Sequence, residues 1–358
     1  MVNKRILISG NEAIAQGALD AGCRFYAGYP ITPQNELIAY MAKYMPVALP
    51  VKPVSPKGVF IQAESEISAI SMVYGASAAG VRAMTSSSSP GISLKQEGIS
   101  YIAGAELPAV IVNIMRGGPG LGNIAPSQSD YFQATRGGGH GDYRLIVFAP
   151  DSVQEAYDLT RLSFELADKY RCPAMILGDG ILGQMMEPIS VSPQKRVLPL
   201  KPWALTGCRG RKPNVVKSFY LREGDLEKFN LKLQKKYAVI ESKEQRWEGM
   251  FLNDAKVVLV AYGTLARVAK SAIIQLRAQG KKVGLIRPIS LWPFPKKAFN
   301  VFNSGKKKCL VIEMSYGQMV EDVRLSVEAR AKVDFLGRSG GGVLTEEEIV
   351  KGLSRLLR

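Results

Sequence analysis

The sequence has no apolar run long enough to cross a membrane. A membrane-spanning helix needs about 20 consecutive apolar residues, and the apolar runs in this chain of 358 residues are much shorter. The amino terminus, MVNKRILISG, lacks the apolar core of a secretory signal and leads directly into a strand-like run. From these features we expect a soluble, cytoplasmic protein that does not bind a membrane.

Residues that bind metals are also scarce. The chain has one histidine, His140, and no CxxC motif. Its four cysteines lie far apart: Cys23, Cys172, Cys208 and Cys309. Such spacing in a chain of this length predicts neither a disulfide framework nor a zinc site or iron–sulfur cluster. We therefore predict no metal site on this chain.

Acidic residues are too few to balance the basic ones, but only in one half of the chain. Overall there are 47 Lys and Arg against 31 Asp and Glu, a net charge of +16. Residues 1–190 carry 14 basic and 16 acidic side chains, whereas residues 191–358 carry 33 and 15. A basic surface attracts polyanions, but no zinc-finger spacing, RNP motif or basic-region heptad is present. We expect no nucleic-acid partner and interpret the excess as a solvated surface or a docking surface for acidic partners.

Short apolar runs alternate with helical patterns over the first half of the chain. The run Ala109–Arg116 is typical of a strand buried in a parallel sheet. Helical patterns lie on either side of this run, at Ser65–Ala79 and Ser152–Ala167. This alternation predicts a doubly wound α/β domain over residues 1–190.

The pattern changes near residue 190 and returns near residue 251. Residues 191–250 combine four prolines with the charged segment LREGDLEKFNLKLQKKY, which predicts a basic connector with one exposed helix. From residue 251, strand runs such as KVVLVAYG and KVGLIRP again alternate with helices. We predict a second, smaller α/β domain over residues 251–358.

Four loops at predicted strand ends carry chemically useful side chains, and ligands bind at such ends of open α/β sheets. The loop GYPITPQNE holds Thr32 between two prolines, which stiffen it. In QAESEISAI, Glu64 and Glu66 open a helix, where they either complement the helix dipole or act in proton transfer. The loop TSSSSPGISLKQEG offers hydroxyl groups and amides, and Arg116 ends a buried strand, where arginine suits carboxylate binding.

Three other motifs resemble known sites without meeting their requirements. GGPGLG lacks the spacing of a dinucleotide-binding loop and contains Pro119. GDG at 178–180 resembles the start of a metal–diphosphate motif, but the downstream asparagine pair is missing. His140, in GGGHGDYR, has no partner with which to build a metal or catalytic site.

Together these motifs resemble a known family over nearly the whole chain. GNEAIAQGAL, YPITPQNE, QAESEISAI, SSPGISLKQEG, NIMRGGPG, SQSDYFQA, EMSYGQMVEDVR and GRSGGGVLTEEEI occur in its order. The family is the alpha-type, pyrimidine-domain subunit of thiamine-diphosphate-dependent 2-oxoacid:ferredoxin oxidoreductases. The residues of the TSSSSPGISLKQEG and GGPGLGN motifs are most similar to those of the branched-chain (2-oxoisovalerate) group. Ser89 stands where many relatives have glycine, which also favours that group over the 2-oxoglutarate one.

The resemblance implies specific roles and a specific fold. Glu66, selected over Glu64 by its distance from Gly75, would be the catalytic glutamate that activates the cofactor. Thr32 and Arg116 would bind the 2-oxoacid, with Arg116 on its carboxylate. Further cofactor contacts would come from Tyr29, Pro30, Ile31 and Ser88. The second domain would resemble the carboxyl-terminal domain of transketolase.

The resemblance also implies what other chains supply. A beta subunit would provide the pyrophosphate domain with Mg²⁺ and an iron–sulfur cluster, and gamma and ferredoxin-like delta subunits would complete the enzyme. CoA and ferredoxin would then be the anionic partners of the basic half. A 2-oxoglutarate or pyruvate enzyme remains an alternative, as does a non-catalytic scaffold or docking subunit.

Overall fold

The computed structural model describes residues 4–53, 57–193, 195 and 197–358. Residues 1–3 and 54–56 of the predicted first domain, and 194 and 196 of the predicted connector, lie outside this description. The strands are β1 (Lys4–Ser9), β2 (Phe25–Gly28), β3 (Val59–Gln62), β4 (Ala83–Ser87), β5 (Val110–Met115), β6 (Ile146–Phe148), β7 (Ala174–Asp179), β8 (Met186–Val191), β9 (Trp247–Met250), β10 (Val257–Val260), β11 (Val283–Pro288), β12 (Ser290–Trp292), β13 (Lys308–Glu313) and β14 (Val333–Gly337).

Helices connect these strands through most of the chain. They are α1 (Gly10–Asp20), α2 (Asn35–Tyr44), α3 (Glu66–Ala78), α4 (Ser89–Gly104), α5 (Tyr131–Arg136), α6 (Val153–Tyr170), α7 (Gly180–Gln184), α8 (Asp225–Lys243), α9 (Gly263–Ala278), α10 (Met319–Val327) and α11 (Glu346–Leu357), with a 3-10 helix at Lys296–Phe302. Among the described helices, none is both long and apolar enough to cross a membrane.

A seven-stranded sheet forms the first domain, in the order β12-β6-β7-β5-β4-β2-β3. All its strand pairs are parallel except β12 with β6. Strands β5 and β7 are buried along their whole length, as expected for a sheet covered by helices. The chain leaves β2 towards β3 but leaves β4 towards β5, so a topological switch point lies between β2 and β4. In doubly wound folds such a point marks the ligand-binding crevice.

The second domain is built on a five-stranded sheet, in the order β14-β13-β10-β11-β9. Its strands are parallel except β9, which pairs antiparallel with β11. Helices α9 and α11 pack on this sheet and bury a separate apolar core around Val257 and Leu259. The predicted fold class, a doubly wound domain followed by a smaller α/β domain, is confirmed.

The elements of the two domains and of the predicted connector are interleaved. Strand β12 follows β11 of the second sheet but joins the first sheet beside β6. Strand β9 belongs to the second sheet, although it lies within the range predicted as connector. Helix α8 corresponds to the predicted connector helix, and two of its lysines, Lys232 and Lys236, form ion pairs with Glu106 of the first domain. The exact domain boundaries stay a prediction.

Buried polar contacts join the domains at two places, which we call the domain junction. In one, Arg287 of β11 forms ion pairs with Glu155 (2.7 Å) and Asp151 (3.4 Å) at the start of α6. In the other, the Gln128 amide group donates to the Tyr262 carbonyl oxygen (2.9 Å) and accepts from the Met314 N–H group (2.9 Å). The SQSDYFQA motif, which contains Gln128, therefore fastens the second domain to the strand ends of the first.

Candidate active site

The loops after β2, β3, β4 and β5 meet at one edge of the first sheet. The Arg116 guanidinium donates a hydrogen bond to the Thr32 carbonyl oxygen (3.0 Å), and the Arg116 N–H group donates to Ser89 Oγ (3.0 Å). Gly91, two residues beyond Ser89, lies against the Glu66 side chain. We call this region, with Thr32, Glu66, Ser88 and Arg116, the strand-end site.

Glu66 is the first residue of α3 and is only 6% exposed. Ser65 caps the helix by accepting a hydrogen bond from the Ser68 N–H group (3.2 Å), which points the chain so that Glu66 turns inward. Glu64 is exposed and accepts a hydrogen bond from Ser68 Oγ (2.9 Å). Within the described ranges, no hydrogen bond or ion pair reaches the Glu66 carboxylate. A buried carboxylate without a partner is available to a ligand.

The start of α4 forms a tight serine-rich cradle. Ser87 and Ser88 have no solvent exposure, and neither hydroxyl group has a hydrogen-bond partner in the described structure. A Cβ atom at Gly91 would lie 2.1 Å from Ser87 Oγ and 2.6 Å from Glu66 Oε1. Only glycine therefore lets α4 approach the Glu66 carboxylate this closely.

Arg116 is buried at the end of β5 and joins two loops. Its guanidinium donates to the carbonyl oxygens of Thr32 (3.0 Å) and Leu121 (3.1 Å), and its Nε is buried without a partner. The guanidinium thus holds the prolyl loop after β2 close to the glycine-rich loop after β5. The guanidinium therefore has an N–H donor, at Nε, that no protein group uses in the described structure. Such a donor can hydrogen-bond an anion.

The remaining predicted residues lie on the loop after β2. Tyr29 and Pro30 are exposed, and Ile31 and Thr32 are half-buried. The loop closes through a hydrogen bond from the Gln34 N–H group to the Ile31 carbonyl oxygen (3.1 Å). Tyr29, Pro30, Ile31 and Thr32 therefore border the strand-end site, and their assignment to cofactor and substrate stays a prediction.

Ser89, the departure from many relatives, is part of a buried network. Its hydroxyl group donates to Asp130 Oδ2 (2.6 Å), which also accepts from the Asn113 amide group (2.8 Å). Burial raises the pKa of Asp130, and the two hydrogen bonds oppose that rise. The serine thereby ties α4 to the segment that carries the domain junction.

Lys95 is a site residue that sequence reasoning missed. It has no solvent exposure, and its Nζ donates to Thr85 Oγ1 (2.6 Å) and to the Ser86 carbonyl oxygen (3.3 Å). Burial lowers the pKa of Lys95 to about 7, and the Glu66 charge opposes that fall. A signal was present in the sequence, since Lys95 interrupts an apolar helical stripe that includes Ile92 and Ile99.

A second missed cluster lies below the prolyl loop. Tyr26 OH and Ser86 Oγ share a hydrogen bond of 2.6 Å, and Ser86 Oγ also donates to Gln34 Oε1 (2.6 Å). All three side chains are fully buried. This chain of hydrogen bonds fixes the loop after β2 against the end of β4.

The motifs set aside as misleading have structural roles. Asp179 of the GDG sequence accepts hydrogen bonds from the N–H groups of Ile181 (2.9 Å) and Leu182 (3.2 Å) and so caps α7. His140 is exposed, and its carbonyl oxygen accepts from Ser100 Oγ (2.8 Å). Since Ser100 lies about 16 Å further along α4 than Ser89, His140 is remote from the cradle. No cluster of metal-ligating side chains occurs among the described residues.

A doubly wound domain with a buried glutamate at its switch point, followed by a second α/β domain, is typical of thiamine-diphosphate enzymes that divide their cofactor site between domains. Residues 16–230 match the family described as pyruvate flavodoxin/ferredoxin oxidoreductase, thiamine diphosphate binding. Residues 255–349 match pyruvate:ferredoxin oxidoreductase core domain II. The chain belongs to the 2-oxoacid:ferredoxin oxidoreductase family, as an alpha-type subunit, which confirms the resemblance.

Relatives of known name cover nearly the whole chain. Ketoisovalerate oxidoreductase subunit VorB of Methanothermobacter marburgensis is 51% identical over 98% of this chain and 97% of its own. 2-Oxoglutarate synthase subunit KorA of Archaeoglobus fulgidus is 39% identical over 97% and 98%. The solved 2-oxoglutarate:ferredoxin oxidoreductase of Magnetococcus marinus, with 2-oxoglutarate, coenzyme A and succinyl-CoA bound, has a TM-score of 0.88 and 28% identity. It covers 99% of this chain, which spans 66% of that longer chain.

Proposed function

We propose that this chain is the alpha subunit of a cytoplasmic 2-oxoisovalerate:ferredoxin oxidoreductase. The enzyme would convert a branched 2-oxoacid and CoA into acyl-CoA and CO₂, and would pass the two electrons released to ferredoxin. The observation that carries the proposal is Glu66, a buried carboxylate without a partner at the switch point of a thiamine-diphosphate fold. The 51% identity to a ketoisovalerate oxidoreductase subunit supports the choice of substrate.

The residues of the strand-end site fit the aminopyrimidine part of thiamine diphosphate. Glu66 would hold a ring nitrogen by sharing a proton with it, and Gly91 places no side chain against the carboxylate. The hydroxyl groups of Ser87 and Ser88 are polar and lack partners, so they can hydrogen-bond a polar ring. When bound, the cofactor supplies the electron sink that decarboxylation of a 2-oxoacid requires. The protein's part is to orient it and to control one proton.

Substrate binding falls to the two loops that Arg116 joins. Arg116 would orient the 2-oxoacid through its carboxylate, since a guanidinium binds a carboxylate through two parallel hydrogen bonds. Thr32 would lie beside the substrate because its carbonyl oxygen already contacts the guanidinium. The two carbonyl contacts hold Arg116 in place before the substrate arrives.

Other chains would complete the enzyme. A beta subunit would supply the pyrophosphate half of the cofactor site, with Mg²⁺ and an iron–sulfur cluster, and gamma and ferredoxin-like delta subunits would complete the assembly. The basic excess of residues 191–358 suits acidic partners of this kind.

The test is Glu66→Gln in the assembled complex, with Glu64→Gln as the matched control. We expect Glu66→Gln to lower turnover at least about 100-fold, because general acid–base groups contribute that much. Subunit assembly should be unchanged. Glu64 is exposed, so its replacement should leave turnover near normal. Normal turnover of Glu66→Gln would reject the catalytic role and would favour a scaffold subunit instead.

The substrate is tested by assaying 2-oxoisovalerate, 2-oxoglutarate and pyruvate side by side. A 2-oxoglutarate enzyme is the second candidate, because the KorA relative and the Magnetococcus marinus structure carry that name. We expect the largest kcat/KM for 2-oxoisovalerate. Arg116→Lys should raise KM for whichever acid is preferred, since lysine keeps the charge but loses the paired geometry.

A further inference from the structure

Lys95 lies directly behind the cradle that holds Glu66. It is one helical turn after Gly91 on α4, so both residues occupy the same face of the helix. Gly91 touches the Glu66 carboxylate, and the Lys95 Nζ binds Thr85 and Ser86 of β4. The amine and the carboxylate thus both lie on the side of α4 that packs against the end of β4.

The Lys95 amine is poorly compensated as a cation. An ammonium group has three donors, but only two acceptors reach this one, and within the described chain no carboxylate forms an ion pair with it. Strand β4 carries no titratable side chain. The titratable groups around the amine are Glu66 on α3 and Tyr26 on β2, whose hydroxyl group contacts Ser86.

We propose that Lys95 is a positioning residue that sets the charge of the Glu66 carboxyl group. A positive charge on Lys95 favours the carboxylate form of Glu66, and a neutral amine permits the protonated form. The two groups thereby share one proton. In the first state Lys95 carries it, and in the second state Glu66 carries it and can share it with the cofactor ring. This inference rests on the proposed function of the strand-end site, and it adds a residue for which the resemblance implied no role.

The experiment measures the dissociation constant of thiamine diphosphate from the assembled complex by calorimetry across pH 5–9. It compares Lys95→Met and Lys95→Gln with the unaltered protein. Removing an adjacent positive charge raises the pKa of a carboxyl group. When the dissociation constant is plotted against pH, one limb of the plot should depend on the charge of Glu66. We therefore expect that limb to move to higher pH by about 1 unit in both variants. Lys43→Met, which removes an exposed lysine, should leave the limb in place.

Two comparisons separate a charge effect from a structural one. Lys95→Gln keeps a hydrogen-bond donor but no charge, so restoration of the original profile by glutamine would overturn the proposal. Lys95→Met should cause no further shift in a Glu66→Gln background, because the responding carboxyl group is gone. An equal shift in both backgrounds would also overturn it.

The outcome is separable from that of the proposed function. If the limb moves by less than about 0.2 pH units in both variants, Lys95 has no part in the mechanism. A Glu66→Gln variant without turnover would still support the role of Glu66. Melting temperature and subunit composition are measured on each variant. If Lys95→Met does not assemble, the glutamine variant alone decides the question.

Discussion

The strand-end site and the domain junction both contain buried polar side chains, but only the junction satisfies them. At the junction, Arg287 is 3% exposed and contacts three carboxylates, those of Asp151, Glu155 and Glu248. At the strand-end site, the hydroxyl groups of Ser87 and Ser88 have no partner among the described residues. Most buried polar groups in proteins are hydrogen-bonded. The two serine hydroxyl groups at the strand-end site therefore keep hydrogen-bonding capacity beside Glu66 that a ligand can use.

Two buried glutamates show the same contrast. Glu313 has no solvent exposure and accepts hydrogen bonds from the N–H groups of Gln318, Met319 and Val320, which begin α10. Glu66 also lies at the start of a helix, but its carboxylate receives no hydrogen bond from the described residues. Glu313, the last residue of β13, is thus bound by the helix that follows it, whereas Glu66 keeps its hydrogen-bonding capacity for another molecule.

The largest effect on stability should come from Arg287→Met at the junction. The change leaves the buried Asp151 and the half-buried Glu155 without their main counter-charge, and breaking a buried ion pair costs about 3–5 kcal/mol. Denaturant unfolding of the complex measures this loss. Arg338→Met is the control, because Arg338 and Glu348 form an exposed pair that contributes less than about 1 kcal/mol. Equal losses in the two variants would contradict the contrast.

Lys95→Met should raise the free energy of unfolding, whereas Arg287→Met should lower it. The reason is that a buried charge without an ion-pair partner destabilises the folded chain. The pKa of Lys95 is about 7 when folded, against 10.5 for a free lysine. Folding therefore releases a proton between these values, and the cost is full below pH 7 and disappears as the pH rises to 10.5. We expect the variant to gain about 1–3 kcal/mol at pH 6 and nothing near pH 10.5. Thermal unfolding at several pH values measures the difference.

A partnered carboxylate supplies the matched pH control. Burial opposes ionisation of Glu244, but hydrogen bonds from Tyr170, Lys169 and Arg246 lower its pKa to about 2. The stability that this group contributes is present above pH 4.5 and is lost as the pH falls towards 2. Glu244→Gln should therefore destabilise the chain at pH 7 and have little effect near pH 2. A stabilised glutamine variant at pH 7 would contradict this explanation.

Sequence patterns predicted the strands that form the site better than its contacts. The run Ala109–Arg116 is predicted as a buried strand and contains β5, because a short apolar run between polar segments is a strong strand signal. Glu66 was preferred over Glu64 by resemblance, and burial agrees with that preference. The apolar stripe around Lys95 indicates its burial, but its place near Glu66 depends on the packing of α4 beside α3, which no local pattern describes. Strand β12 was missed for a similar reason, since its partner β6 lies far away in sequence.

Gly91→Ala tests whether the cradle needs its close approach. The added methyl group would meet Ser87 Oγ and Glu66 Oε1 at less than 3 Å, so Glu66 must turn away. We expect the affinity for thiamine diphosphate to fall about 10-fold, which corresponds to about 1.4 kcal/mol. Gly75→Ala is the control, because nothing lies within 4 Å of its Cβ position. Alanine in that helix should stabilise the chain slightly. Unchanged affinity in Gly91→Ala would show that cofactor binding does not require α4 to lie so close to the Glu66 carboxylate.

The smallest effect separates two buried serines. Ser315 Oγ donates to Glu313 (2.9 Å) and accepts from the Gly317 N–H group (3.0 Å), so Ser315→Ala leaves polar groups without a partner. It should cost about 1–2 kcal/mol of unfolding free energy. Ser88 Oγ has no partner to lose, so Ser88→Ala should change stability by less than about 0.5 kcal/mol while weakening cofactor binding several-fold. Calorimetry and thermal unfolding of both variants measure the two effects. A stability loss without an affinity loss in Ser88→Ala would assign that hydroxyl group to the fold and remove it from the site.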